Sequence, residues 1–129
     1  MFDEIYPDDV AAWLEQGAQI VDVRETWEFG AGHVPGAVNI PLDELISRVG
    51  ELRQPLVLVC ASGNRSGMAA QYLTQRAGFS KVANLVGGTY LWVSRGKPVE
   101  KPGVGVVGGQ GEDGEADDEA DAGDVRRRA

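Results

Sequence analysis

The chain has 129 residues, 12 Lys and Arg against 20 Asp and Glu for a net charge of −8, and a single cysteine. That length predicts one domain, large enough for a sheet covered on both faces. The acidity, with no concentrated basic stripe, excludes a nucleic-acid groove, and no apolar run approaches the roughly 20 residues of a membrane span. Residues 1–100 carry 8 Lys and Arg against 12 Asp and Glu, whereas 101–129 carry 4 against 8 in less than a third of the length.

The N-terminus, Met1-Phe2-Asp3-Glu4, has neither a basic n-region nor an apolar h-region, so no secretory signal is expected. An unpaired cysteine also suits a reducing compartment, and the expected location is cytoplasmic. Ile5-Tyr6 reads as a short edge strand. Pro7-Asp8-Asp9 opens a first helix with an apolar face of Val10, Trp13 and Leu14, stopped at Gly17. Ala18 to Val23 is a buried strand, Thr26 to Gly30 a helical turn and Ala37 to Ile40 a second strand. Leu42, Leu45, Ile46 and Val49 recur at i, i+3, i+4 and i+7, which predicts a helix with one inward face.

Leu56 to Cys60 is the next strand, Gly67 to Ala77 a helix with Met68, Ala69, Tyr72 and Leu73 at helical spacing, and Val82 to Leu85 a further strand. Gly88 to Arg95 is a last helix, stopped by Gly96 and Pro98. Strands alternate with helices throughout. The fold class is therefore α/β: a central parallel sheet of four or five strands with helices on both faces and right-handed crossovers. From Pro102 to Gly111 glycine recurs with valines and Gln110 between, and Glu112 to Asp124 is acidic without a large apolar residue. Residues 101–129 are expected to be a disordered Gly-rich, acidic tail ending in Arg126-Arg127-Arg128, and residues 1–100 the domain.

The chemistry concentrates in Cys60-Ala61-Ser62-Gly63-Asn64-Arg65-Ser66. Reactive sites in parallel sheets lie at the carboxyl ends of strands, where Cys60 falls. Gly63 and Asn64 permit a sharp bend, so that amides of residues 61–66 point inward around the sulfur; Arg65 in the first helical turn adds a cation. Such surroundings lower a cysteine pKa from about 8.5 to roughly 3.5–7.5 and make the thiolate a nucleophile. Arg65 opposes the helix dipole and calls for an anionic partner. The Ser66 hydroxyl either donates to the sulfur or caps the helix. Asp22 and Arg24, at the end of an adjacent strand, are positioned to buttress the loop, or Arg24 pairs locally with Glu28. His33, among Gly32, Pro35 and Gly36, reads as a turn residue bonded to backbone rather than as half of a Cys-His dyad. Trp13 and Leu14 read as core, and Trp92 packs either in the core or beside the pocket mouth.

The Cys60–Ser66 loop, Asp22-Val23-Arg24-Glu25 with Glu28-Phe29, Gly32-His33-Val34-Pro35-Gly36-Ala37-Val38-Asn39-Ile40-Pro41-Leu42, and Leu85-Val86-Gly87-Gly88 with Trp92 together resemble a single-domain rhodanese over residues 1 to about 100. The resemblance implies a rhodanese-like central parallel sheet and a sulfurtransferase. A sulfane donor such as thiosulfate would leave a Cys60 persulfide, held by the loop amides and Arg65. With no second cysteine, the sulfur must leave to an external acceptor, cyanide or a thiol; a mercaptopyruvate-like compound or a protein persulfide are alternative donors. No metal and no cofactor are expected. A cysteine phosphatase or arsenate reductase is disfavoured, because four residues rather than five separate Cys60 from Arg65 and Val59 stands where many phosphatases have histidine. The remaining alternative is a sulfur carrier or partner-binding module without turnover.

Overall fold

The computed structural model describes residues 1–108. Five strands form one all-parallel sheet: β1 (Asp3–Ile5), β2 (Gln19–Asp22), β3 (Val38–Asn39), β4 (Leu56–Val59) and β5 (Val82–Leu85), in the order β1-β5-β4-β2-β3. Four α-helices connect or follow them: α1 (Val10–Glu15), α2 (Thr26–Gly30), α3 (Asn64–Arg76) and α4 (Gly88–Ser94). β4 lies at the centre and every one of its residues is buried. A strand buried on both faces needs a continuous apolar run, and Leu56-Val57-Leu58-Val59 supplies one.

Side chains alternate across the sheet with period two. Val57 and Val59 face a core shared with Val10 and Trp13 of α1 and with Trp92 of α4. Leu56, Leu58 and Cys60 face the opposite core, shared with Ala69, Ala70 and Leu73 of α3 and with Leu45. The cysteine therefore extends the inward register of β4 toward α3. In α3 itself the buried positions are Ser66, Ala69, Ala70 and Leu73, which fall at i, i+3, i+4 and i+7. The helix begins three residues earlier than its apolar pattern predicts, so Asn64, Arg65 and Ser66 form its first turn.

Three expectations need correction. Leu14 is 46% exposed, because α1 spans only six residues and turns Val10 and Trp13, not Leu14, toward the sheet. Leu42 to Val49 is not an α-helix but two 3₁₀ turns, Leu42–Glu44 and Ile46–Glu51, with a non-helical Arg48 between turns of the second. At three residues per turn Leu42 and Leu45 stay aligned while Ile46 rotates outward to 63% exposure.

The third correction concerns the end of the domain. β6 (Val99–Lys101) and β7 (Gly105–Val107) form an antiparallel hairpin that crosses the boundary expected at residue 100. Lys101-Pro102-Gly103-Val104 is its turn: proline precedes Gly103 at φ +77°, and the Val104 N–H donates to the Lys101 carbonyl at 3.0 Å. Proline then glycine at the two central positions suits a type II turn, and flanking valines suit strands. Low aromatic content over 101–129 masks this local signal. The disorder expected further along, over 109–129, lies outside the described residues.

The hairpin is tied to the domain through Glu100, whose backbone exchanges hydrogen bonds with His33 (3.0 and 2.8 Å) and whose carboxylate accepts the Gly36 N–H at 3.0 Å. His33 is buried, stacked on Phe29 with ring centroids 3.6 Å apart, and its Nδ1 lies 2.9 Å from the Phe29 carbonyl. Its ring is thus occupied by packing and a backbone bond, as a turn residue's would be. Trp92 resolves to the core, its indole N–H donating to the Pro98 carbonyl at 2.6 Å.

Candidate active site

The loop from Cys60 to Ser66 occupies the carboxyl edge of β4, next to the end of β2 where the sheet order reverses direction. Crevices at such switch points are where open parallel sheets bind ligands. The loop's carbonyls are fastened from outside. Thr89 donates to the Cys60 carbonyl through its N–H at 2.8 Å and its hydroxyl at 3.2 Å, and the Tyr90 N–H donates to that of Ala61 at 3.0 Å. The first turn of α4 thus absorbs the outward-facing oxygens. Gly88 makes this approach possible: at φ +57°, an added Cβ would collide with the Cys60 carbonyl oxygen and stand 2.6 Å from that of Ala61.

With those carbonyls turned away, N–H groups face the sulfur. The Gly63 N–H donates to Cys60 Sγ at 3.0 Å, and the Ser66 hydroxyl lies 3.3 Å away. Gly63, at φ +101°, turns the chain into α3. Burial pushes the Cys60 thiol up, but the Ser66 hydroxyl and the amides of Ser66, Gly63 and Ser62 outweigh it, and the pKa falls below its ordinary value. Of the loop amides, that of Gly63 hydrogen-bonds the sulfur. Ser62 and Asn64 are exposed on the loop's outer surface, and Ala61 is buried. No side chain caps α3, which leaves Ser66 facing the sulfur rather than the helix end. Cys60 itself has no accessible surface.

Arg65 finds its anionic partner in Glu28. The pair is bidentate, Nη1 to Oε1 at 2.8 Å and Nη2 to Oε2 at 3.0 Å, across 37 positions of sequence. Glu28 Oε1 also accepts the Glu25 N–H at 2.9 Å, so one carboxylate closes the start of α2 and anchors α3. The Arg65 guanidinium holds this carboxyl down to about pKa 2, against the opposing effect of burial. Arg24 does not pair with Glu28. It pairs with buried Asp22 (Nη2 to Oδ2, 2.8 Å) and donates to the Gly32 carbonyl at 2.9 Å, while Asn39 holds the carbonyls of Asp22 and Arg24 at 3.0 Å. Asp22 and Arg24 thus brace the turn after β2 and the loop before β3; neither hydrogen-bonds residues 60–66.

Two residues of this site escape a sequence reading. Glu28 lies within a motif already noticed, but its partner is distant. Asn84, the sole polar side chain of β5, bridges the loop: Ser66 Oγ lies 2.5 Å from its Oδ1, and its Nδ2 donates to the Gly63 carbonyl at 3.2 Å. A buried amide in an otherwise apolar strand was its only signal.

Comparison with known proteins agrees with this geometry. The family model described as "Rhodanese-like domain" matches residues 6–95, and the chain belongs to that family. It is 41% identical over 95 residues to the thiosulfate sulfurtransferase GlpE of Pseudomonas aeruginosa, covering 72% of this chain and 86% of that protein. The crystal structure of a rhodanese-related protein from Thermoplasma volcanium superposes with a TM-score of 0.67 at 30% identity, covering 75% of this chain and 96% of the other. A rhodanese-like domain from Staphylococcus aureus gives 0.61 at 31% identity, covering 70% and 90%. Among the described residues no helix is long and apolar enough to cross a membrane.

Proposed function

We propose that this protein is a thiosulfate sulfurtransferase that works through a persulfide on Cys60. The sulfurtransferase class rests on the family and on relatives carrying that name. The observation that carries the mechanism is the convergence of the Gly63 N–H and the Ser66 hydroxyl on one sulfur, in a loop whose amides lower the thiol pKa. In the first half-reaction the Cys60 thiolate attacks the outer sulfur of thiosulfate; the new Sγ–S bond forms as the donor's S–S bond breaks, and sulfite leaves with the electron pair. In the second, cyanide or a thiolate attacks the outer sulfur of the persulfide and releases the Cys60 thiolate. No proton need be delivered to sulfite. Amides preorganised around the sulfur stabilise negative charge in both steps, and Arg65 attracts the anionic donor.

With one cysteine in the chain, the persulfide has no resolving thiol of its own, and double-displacement kinetics follow. A cytoplasmic location belongs to the same proposal, since an unpaired nucleophilic thiol suits a reducing compartment. The complete covering of Cys60 favours a second reading, a carrier loaded by a partner protein that opens the loop, with little turnover on free donors.

Intact mass after thiosulfate treatment separates the possibilities. The proposal expects a species one sulfur atom heavier, reversed by cyanide with formation of thiocyanate, and absent in Cys60→Ser. A protein isolated from cells already persulfurated but inert to thiosulfate would support the carrier. A sulfur adduct surviving in Cys60→Ser would remove Cys60 from the mechanism.

A further inference from the structure

Ser66 has one hydroxyl proton and two acceptors. Its Oγ lies 2.5 Å from Asn84 Oδ1 and 3.3 Å from Cys60 Sγ. The orientation of Asn84 is settled by its other end: Nδ2 donates to the Gly63 carbonyl, and exchanging the two would set oxygen against oxygen. The amide therefore shows oxygen to Ser66. Ser66 is 0% and Asn84 4% exposed, so bulk water does not substitute for either partner.

We infer that Asn84 is a positioning residue for sulfur transfer, an alternative acceptor that holds the Ser66 proton away from Cys60 while the sulfur is a thiol and releases it when the sulfur becomes anionic. The inference rests on Cys60 being the nucleophile proposed above. In the thiol state the chain runs from Cys60 S–H to Ser66 Oγ and from Ser66 O–H to Asn84 Oδ1, and every donor has an acceptor. When the thiol proton leaves, the hydroxyl turns to the thiolate, because a charge-assisted bond is stronger than a neutral one. Asn84 Oδ1 is then left buried without a donor, which costs free energy. Asn84 thereby favours the neutral thiol and sets the Cys60 pKa above the value the loop alone would impose. Once a sulfane sulfur is bound, Sγ is an uncharged bridging atom and the charge resides on the outer sulfur, so the hydroxyl returns to Asn84. The Ser66 proton swings once each way in a turnover.

The charged groups around the sulfur are Arg65 of α3, paired with Glu28 of α2, and Asp22 of β2, paired with Arg24. β5 contributes no titratable group, and Tyr90 of α4 is exposed. Asn84 hydrogen-bonds neither ion pair, so its replacement removes no partner of either.

The test is the pH dependence of Cys60 alkylation by iodoacetamide, followed by intact mass. Asn84→Ala is expected to lower the apparent pKa by about half a unit to one unit, giving roughly three- to tenfold faster alkylation on the acid side. Ser66→Ala raises it, and adding Asn84→Ala to Ser66→Ala produces no further shift. Asn84→Asp, which keeps an acceptor and adds charge, raises it. Asn84→Val, suited to a central strand, carries the expectation of Asn84→Ala if that variant melts too low. A pKa unchanged or raised in a folded variant lacking the acceptor overturns the inference, as does the same downward shift without Ser66 or a failure of every Asn84 variant to fold. Alkylation reads the thiol without thiosulfate, so failure of the wild type to gain sulfur would sink the functional reading separately.

Discussion

Two arginine–carboxylate pairs stand on the same edge of the sheet, and they do different work. Arg24 and Asp22 are two residues apart and fully buried, joined by three side-chain hydrogen bonds of 2.8–3.1 Å. Arg65 and Glu28 are 37 residues apart, with the guanidinium one-third exposed. The local pair completes a turn and makes no side-chain hydrogen bond to the Cys60–Ser66 loop. The distant pair joins α2 to the first turn of α3, beside the sulfur. A buried pair is costly to break because its survivor is stranded in low dielectric, whereas a partly exposed survivor is rescued by water. Stability should therefore follow the first pair and donor use the second.

Arg24→Ala breaks the comparison on the stability side and is expected to have the largest effect. It strands the Asp22 carboxylate and should cost about 3–5 kcal/mol in denaturant unfolding. Turnover per folded molecule should change little. An equal loss of turnover in protein shown to be folded would place Arg24 in the site itself.

Arg65→Ala reverses the pattern. Its expected stability loss is about 1 kcal/mol or less, because removing the partly exposed guanidinium opens the surviving Glu28 carboxylate to water. Thiosulfate-dependent kcat/KM should fall by roughly tenfold or more, equivalent to about 1.4 kcal/mol of lost transition-state stabilisation. Proportional losses of folding and donor use would make Arg65 a structural residue.

Glu28→Gln sharpens the contrast through pH. The carboxyl is depressed from 4.5 to about 2, so its contribution to stability is complete above the unfolded value and is lost as pH falls toward 2. Wild type should lose up to about 1 kcal/mol across that window after allowance for the exposure of Arg65, and Glu28→Gln should lack this component. The same variant leaves the Arg65 charge unneutralised near the sulfur, so Cys60 alkylation should proceed at lower pH than in wild type. Identical acid-unfolding curves for the two proteins would show that the pair contributes nothing.

Most of the sheet was legible in the chain because β4 and β5 are short apolar runs and α3 has a clear helical period. The course of the Cys60–Ser66 loop was legible for a similar reason: Cys60, Gly63 and Arg65 are close in sequence, and their placement follows from a strand end, a left-handed turn and a helix start. Ile46 misled because 3₁₀ and α spacing share the i+3 contact and diverge only at i+4. The hairpin was missed because composition over 101–129 outweighed a four-residue turn signal. Glu28 and Asn84 were beyond reach for another reason, since their partners lie 37 and 18 positions away.

Read alone, the sequence determined the alternation of strands and helices, the strand-end cysteine and the loop that bends around it, because each depends on neighbours along the chain. Only tertiary structure decided which carboxylate meets Arg65, which amide meets the Ser66 hydroxyl and that Cys60 is buried. Those outcomes depend on packing of α2, β5 and α4 against the loop, and contacts between distant segments are set by the register and order of the sheet rather than by local spacing.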